Sequence, residues 1–122
     1  MGGTIVAIAT PVGTGAVSLI RLSGPEAQRI ALAACGKVSL PDARQVALRK
    51  IRDENDLVID EGVLCFFAGP RSYTGEDVVE FTGHGGVVVT RKVLERFVEL
   101  GAVPAGPGEF TQRAFMNGPR YH

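Results

Sequence analysis

The stretch Val17-Ser18-Leu19-Ile20-Arg21-Leu22-Ser23-Gly24-Pro25-Glu26-Ala27-Gln28-Arg29-Ile30-Ala31-Leu32-Ala33-Ala34-Cys35-Gly36 changes its periodicity halfway. Val17 to Leu22 is a short, β-branched and apolar run, the composition of a strand. Beyond Ser23, residues Ala27, Ile30, Ala31, Ala34 and Cys35 recur at helical spacing, while Glu26, Gln28 and Arg29 face away. Ser23 and Glu26 have the spacing of a capping box, and Gly36 suits the left-handed position just past a helix end. A strand that passes straight into an amphipathic helix sets the theme for the rest of the chain.

Towards the N-terminus, Thr4 to Ala9 is a second strand, joined to the first by the glycine-rich loop Thr10-Pro11-Val12-Gly13-Thr14-Gly15, a first candidate site. Towards the C-terminus, Lys37 to Arg44 is a connection, and Gln45 to Arg52 and Val58 to Phe67 form a hairpin about the charged turn Asp53 to Asp56. The end of that second strand, Gly62 to Ala68, is apolar on both faces and is expected at the centre of a sheet. Asp77 to Thr82 is a further strand, which Gly83-His84-Gly85-Gly86 turns into a helix from Val87 to Leu100. Ala102 to Ala105 is expected to be a last strand and Phe110 to Met116 a short helix, its aromatic rings completing the core. Strands mixed with two main helices and short connections define an α+β domain with a mixed β-sheet.

Composition excludes several classes. The 122 residues carry 13 Lys+Arg against 13 Asp+Glu, dispersed among one another, so the chain does not grip nucleic acid by charge alone. Cys35 and Cys65 show no paired spacing and are expected as reduced core residues. The apolar stretch Val63 to Ala68 is too short to span a bilayer, and Met-Gly-Gly-Thr is no signal sequence, so a cytoplasmic protein with no membrane association is expected. No GxxxxGK[ST] is present, the only histidines are His84 and His122, and no serine sits in a nucleophile elbow. Neither a metal centre nor hydrolytic catalysis is expected.

Two charges are out of place. Arg21 stands inside the apolar strand Val17 to Leu22, and Glu80 inside Asp77-Val78-Val79-Glu80-Phe81, where either would be costly to bury without a partner. They can pair with each other or with backbone, which composition alone favours. They can also serve a ligand, since a carboxylate accepts two parallel N–H bonds from an amino-pyrimidine ring and an arginine holds a carbonyl or carboxylate. That chemistry suits a planar, nitrogen-rich molecule with an acidic tail. Gly83-His84-Gly85-Gly86 has the makings of an anion-binding helix N-terminus, although a steep turn into the helix explains the glycines as well. Ser72-Tyr73-Thr74-Gly75-Glu76-Asp77 reads as a solvated loop.

Three stretches resemble a known family: Ala9 to Gly24, with Thr-Pro-Val-Gly-Thr-Gly and Arg21; Pro70 to Gly86, with Ser-Tyr-Thr-Gly-Glu-Asp and Glu80; and Pro107 to Gly118, with Gly-Glu-Phe-Thr-Gln-Arg-Ala-Phe-Met-Asn-Gly. In order and spacing they are similar to the N-terminal domain of the MnmE/TrmE family of tRNA modification GTPases, over residues 4–118. The resemblance implies a fold similar to the folate-binding domain of aminomethyltransferases. It also implies a homodimer that binds a tetrahydrofolate derivative, 5-formyltetrahydrofolate or 5,10-methylenetetrahydrofolate, with Arg21 and Glu80 as the contacts. In the family the dimer works with a flavoprotein of the MnmG type on the wobble uridine of tRNA, and a separate G domain hydrolyses GTP.

The chain departs from the family pattern at its end. A lysine that contacts folate is expected after Asn117-Gly118, where Pro119 and Arg120 stand instead, and a basic residue of the first glycine loop is Thr14 here. Residues 119–122 form a divergent tail in place of the helical and G domains, so GTP hydrolysis is not expected of this chain. The rival readings are a dimerisation module without ligand, in which Arg21 and Glu80 only neutralise each other, and a small folate-dependent one-carbon transfer protein.

Overall fold

A computed structural model describes residues 3–10, 17–36 and 39–118. The glycine-rich loop with Thr14 and the tail with Pro119 and Arg120 lie outside the described residues. Within them, strands β1 (Ile5–Ile8) and β2 (Val17–Ser23) precede helix α1 (Ala27–Ala34), followed by β3 (Val46–Arg52), β4 (Val58–Phe67) and β5 (Val78–His84). Helix α2 (Val87–Glu99), the short β6 (Val103–Pro104) and helix α3 (Glu109–Met116) complete the chain. The strands form one sheet in the order β3-β4-β5-β2-β1-β6. Every pairing is antiparallel except that of β1 with β6, so the sheet is mixed and the domain α+β, as the periodicity predicts.

Side chains alternate across a pleated sheet, so one set of positions in each strand faces the helices. Val6, Ile20, Leu22, Ile51, Leu64, Phe66, Val79 and Phe81 supply that face, and Ile30, Ala31 and Ala34 of α1 with Val93 and Phe97 of α2 close over it. Phe81 and Phe97 are 1% and 0% exposed, the largest fully buried side chains in this core. The opposite face behaves differently at its two ends. Where β1 and β2 carry Ile5 and Ser23 it is covered and both are buried; over β3 and β4, and at Val17 at the start of β2, it is open, with Val46, Leu48 and Val63 exposed.

Several sequence expectations are corrected by nonlocal contacts. Strand β4 is an interior strand, paired with β3 on one side and β5 on the other, but it is not buried on both faces, since the outward set of its side chains is partly exposed. No capping box forms at α1. Ser23 remains in β2, where its hydroxyl meets Thr74 Oγ1 at 2.6 Å and donates to Glu76 at 2.8 Å, and Glu26 takes the N-cap position with no side-chain cap. The Glu26 N–H donates instead to Thr4 Oγ1 at 2.8 Å. Gly36 does adopt the left-handed conformation beyond the helix, at φ 71°.

Strand β5 runs on through Gly83 and His84, so the glycine cluster is only partly a turn. Gly83 is required there by packing, because a Cβ at that position would lie 2.2 Å from the carboxylate of Asp60. Of the cysteines, Cys35 is buried in the core as expected, whereas Cys65 is only half-buried and faces the other side of the sheet. Phe115 is not a core residue at all, being 85% exposed.

Candidate functional site

Arg21 and Glu80 are direct cross-strand partners in the β2–β5 ladder. Directly opposed side chains on one face lie within reach of each other, and Arg21 Nε donates to Glu80 Oε2 at 2.8 Å. The pair is largely withdrawn from water, with side-chain exposures of 26% and 21%. Each charge therefore has the partner that its position in an apolar strand demands.

The pairing leaves capacity unused. Among the described residues, neither terminal nitrogen of Arg21 and not the second oxygen of Glu80 has a hydrogen-bond partner. A carboxylate offers about four lone-pair sites, so Glu80 can hold Arg21 with one and still accept two parallel N–H bonds. The guanidinium carbon of Arg21 lies 5.6 Å from the centroid of the Tyr73 ring and 5.9 Å from that of Phe110. A cation, a carboxylate and two aromatic faces thus meet at one place on the sheet.

The cross-strand register puts this place at a boundary. Val46, Cys65, Glu80, Arg21 and Ala7 form one row across the outward face, and Leu48, Val63, Thr82 and Leu19 form the row beside it. On one side of the pair the outward face is apolar and open; on the other it is covered by the 72–77 loop and α3. Burial pushes the Cys65 thiol up from its ordinary pKa, and the neighbouring Glu80 charge pushes it further in the same direction.

The 72–77 loop is not the solvated turn its composition implies. Thr74 is fully buried, and Glu76 accepts hydrogen bonds from both Ser23 and Arg113. Arg113, read from the sequence only as a member of a short helix, is 3% exposed. It donates to the Gly3 carbonyl at 2.8 Å, to Glu76 at 3.1 Å and to Glu109 at 3.0 Å. The Glu109 carboxyl is held below the usual glutamate range, first by the Gly106 N–H it accepts and then by Arg113. The i,i+4 spacing of Glu109 and Arg113 is the one sequence signal that points to this cluster.

His84, in the glycine cluster, is tied to Asp60 of β4. Its backbone N–H donates to Asp60 at 3.0 Å, and its imidazole Nδ1 shares a 2.7 Å hydrogen bond with the same carboxylate. Asp60 thus occupies one backbone donor of the glycine cluster. Among the described residues no group of three His, Cys, Asp or Glu side chains is arranged to hold a metal ion, and no helix is long and apolar enough to cross a membrane.

The domain is thus a mixed sheet carrying helices α1 and α2 on one face and a paired arginine and glutamate on the other. The family model described as "GTP-binding protein TrmE N-terminus" matches residues 4–119, and the chain belongs to that family. The tRNA modification GTPase MnmE of Acinetobacter baylyi is 54% identical over 115 residues, covering 94% of this chain and 25% of that protein. Its counterpart in Alkalilimnicola ehrlichii is 50% identical, covering 94% of this chain and 26% of that protein. That of Pseudothermotoga lettingae is 43% identical over 118 residues, covering 97% of this chain and 26% of that protein. The chain thus spans about a quarter of the length of the curated relatives it matches, and it corresponds to the N-terminal domain of MnmE-type tRNA modification GTPases.

Proposed function

We propose that this domain binds a tetrahydrofolate derivative, 5-formyltetrahydrofolate or 5,10-methylenetetrahydrofolate, at Arg21 and Glu80, and that it forms a homodimer through the open face of its sheet. The observation that carries the first part is the unused capacity of the Arg21–Glu80 pair between the Tyr73 and Phe110 rings. Glu80 accepts the paired N–H groups of an amino-pyrimidine ring, Arg21 holds a carbonyl or carboxylate through its terminal nitrogens, and the flanking rings exclude water from both. When bound, the folate supplies the one-carbon unit. The residues of this chain bind and orient it.

The second part rests on exposed apolar area. Val46 at 66%, Leu48 at 63% and Val63 at 40% exposure stand together on a flat sheet face, a patch of the kind that soluble domains cover with a partner. The occupant is a second copy of the chain, because the patch runs in register up to Glu80 and Arg21 and a copy seated on it closes the ligand site. In the cell the domain acts within a cytoplasmic tRNA-modifying GTPase, beside a flavoprotein of the MnmG type and on the wobble uridine of tRNA.

Isothermal titration of the chain with 5-formyltetrahydrofolate tests the ligand reading. Saturable binding, weakened about tenfold or more in Arg21→Ala and Glu80→Gln, is expected for loss of a charge-assisted contact. The competing reading, a dimerisation module in which the pair is only structural, has the direct 2.8 Å contact in its favour. It takes over if the wild-type chain shows no binding, or if both variants bind like wild type while melting at lower temperature.

A further inference from the structure

Helix α3 brings Phe110 to Arg21, yet it is not docked as an amphipathic helix ordinarily is, by a buried apolar stripe. Its Phe115 and Met116 are 85% and 61% exposed, and the only residue it buries is Arg113. The guanidinium of Arg113 ties together three segments distant in sequence: the Gly3 carbonyl before β1, Glu76 on the 72–77 loop, and Glu109 at the start of α3 itself. Glu76 in turn accepts from Ser23 at the end of β2, so the tie extends to the strand that carries Arg21. Two lesser contacts join the same helix and loop: Asn117 Nδ2 donates to the Thr74 carbonyl at 2.7 Å, and the Tyr73 hydroxyl meets Thr111 Oγ1 at 2.9 Å.

The two rings beside Arg21 ride on the two segments that Arg113 joins, Tyr73 on the loop and Phe110 on the helix. The Nε of Arg113 is buried with no partner among the described residues, an uncommon state for a donor. A charged side chain with one unsatisfied N–H is a poor choice if only packing mattered, and its forked geometry is what the three acceptors use. We propose that Arg113 is the positioning residue of the Arg21–Glu80 site: it fixes loop and helix so that Tyr73 and Phe110 bracket the Arg21 guanidinium. The inference rests on the reading of that pair as the folate site. It predicts that Arg113 controls ligand affinity without touching the ligand.

The test uses the whole chain labelled with 15N, in wild-type form and as Arg113→Gln, Arg113→Lys and Asn117→Ala. Circular dichroism reports the fold. The Arg21 Nε–H resonance, displaced by the ring currents of Tyr73 and Phe110, reports the bracket, and titration with 5-formyltetrahydrofolate reports affinity. In a folded Arg113→Gln chain the Arg21 resonance is expected to move towards its unstructured position and affinity to fall about tenfold or more. Arg113→Lys, which keeps the charge but lacks the fork, is expected to restore only part of either.

Should Arg113→Gln not fold, Asn117→Ala decides, since it cuts the same helix-to-loop tie near the surface. A shift of the Arg21 resonance in the same direction, with a smaller loss of affinity, is expected. A folded Arg113→Gln or Asn117→Ala chain with an unmoved Arg21 resonance and wild-type affinity overturns the proposal. A wild-type chain that binds no 5-formyltetrahydrofolate overturns the folate reading instead, and the resonance still decides whether Arg113 sets the bracket.

Discussion

Replacing Arg21 and Glu80 singly and together separates a ligand site from a structural ion pair. The Nε–Oε2 contact of 2.8 Å is a charge-assisted hydrogen bond whose members are 26% and 21% exposed. Exposed pairs contribute about 0.2–1 kcal/mol, while hydrogen bonds to charged groups contribute about 1.5–3 kcal/mol. Partial burial puts the coupling between Arg21 and Glu80 at about 1–2 kcal/mol. Arg21→Ala also loses its contacts with the Tyr73 and Phe110 rings, at about 0.5–1 kcal/mol each, so its total cost is about 2–4 kcal/mol. For a chain of this length 1 kcal/mol corresponds to about 4 °C in Tm, so Arg21→Ala is expected to melt about 8–16 °C below wild type. The assay is thermal unfolding of wild type, Arg21→Ala, Glu80→Gln and the double variant at one protein concentration, with and without 5-formyltetrahydrofolate. Without ligand the two effects should fall short of additivity by the coupling energy; with ligand, wild type should gain more stability than any of the variants. Additivity within about 0.5 kcal/mol refutes the assigned contact, and equal stabilisation of all four proteins by the ligand refutes the assigned site.

Other consequences follow from the packing and the charges. Leu48→Asp puts a charge at the centre of the open face, and sedimentation is expected to show monomer where wild type sediments as dimer; an unchanged dimer would assign the interface elsewhere. Gly83→Ala drives a methyl group towards the buried Asp60 carboxylate and is expected to cost about 1–3 kcal/mol by overpacking, measured by urea unfolding; a neutral substitution contradicts the close approach. Burial pushes the Cys35 thiol up to about 11, against a smaller opposing pull from Arg49. The folded state therefore keeps a proton that the unfolded chain releases, so its contribution to stability is whole below the ordinary thiol pKa of 9.0 and is lost as pH rises towards about 11. The loss amounts to about 2–3 kcal/mol. Cys35→Ala should flatten that decline, and an identical slope in both proteins rules the assignment out.

The parts of the fold that were legible in the sequence are those set by local pattern. The change of period around Ser23 marks the passage from β2 into α1, and the alternation in Val46–Arg52 marks an outward face. Arg21 and Glu80 stood out because a charge in an apolar strand requires a partner. Their direct opposition did not, because it depends on β5 docking beside β2 across α1, β3 and β4, a nonlocal choice that the pattern of neither strand encodes. The same limit explains the errors. Ser23 has the capping-box spacing, but Thr74 and Glu76 arrive from a distant loop and take its hydroxyl. Gly83 has turn composition, but the approach of Asp60 makes glycine a requirement of the strand. Local pattern does not mark Arg113, because a charged residue on a short helix ordinarily faces water and only the tertiary fold brings Gly3 and Glu76 to it.

The most direct measurement is the structure of the chain crystallised with 5-formyltetrahydrofolate. It is expected to show the amino-pyrimidine edge of the ligand within hydrogen-bond distance of both Glu80 oxygens, and Arg21 turned to an oxygen of the ligand between Tyr73 and Phe110. Ligand bound at another surface, with Arg21 and Glu80 engaged only with each other, would contradict the account.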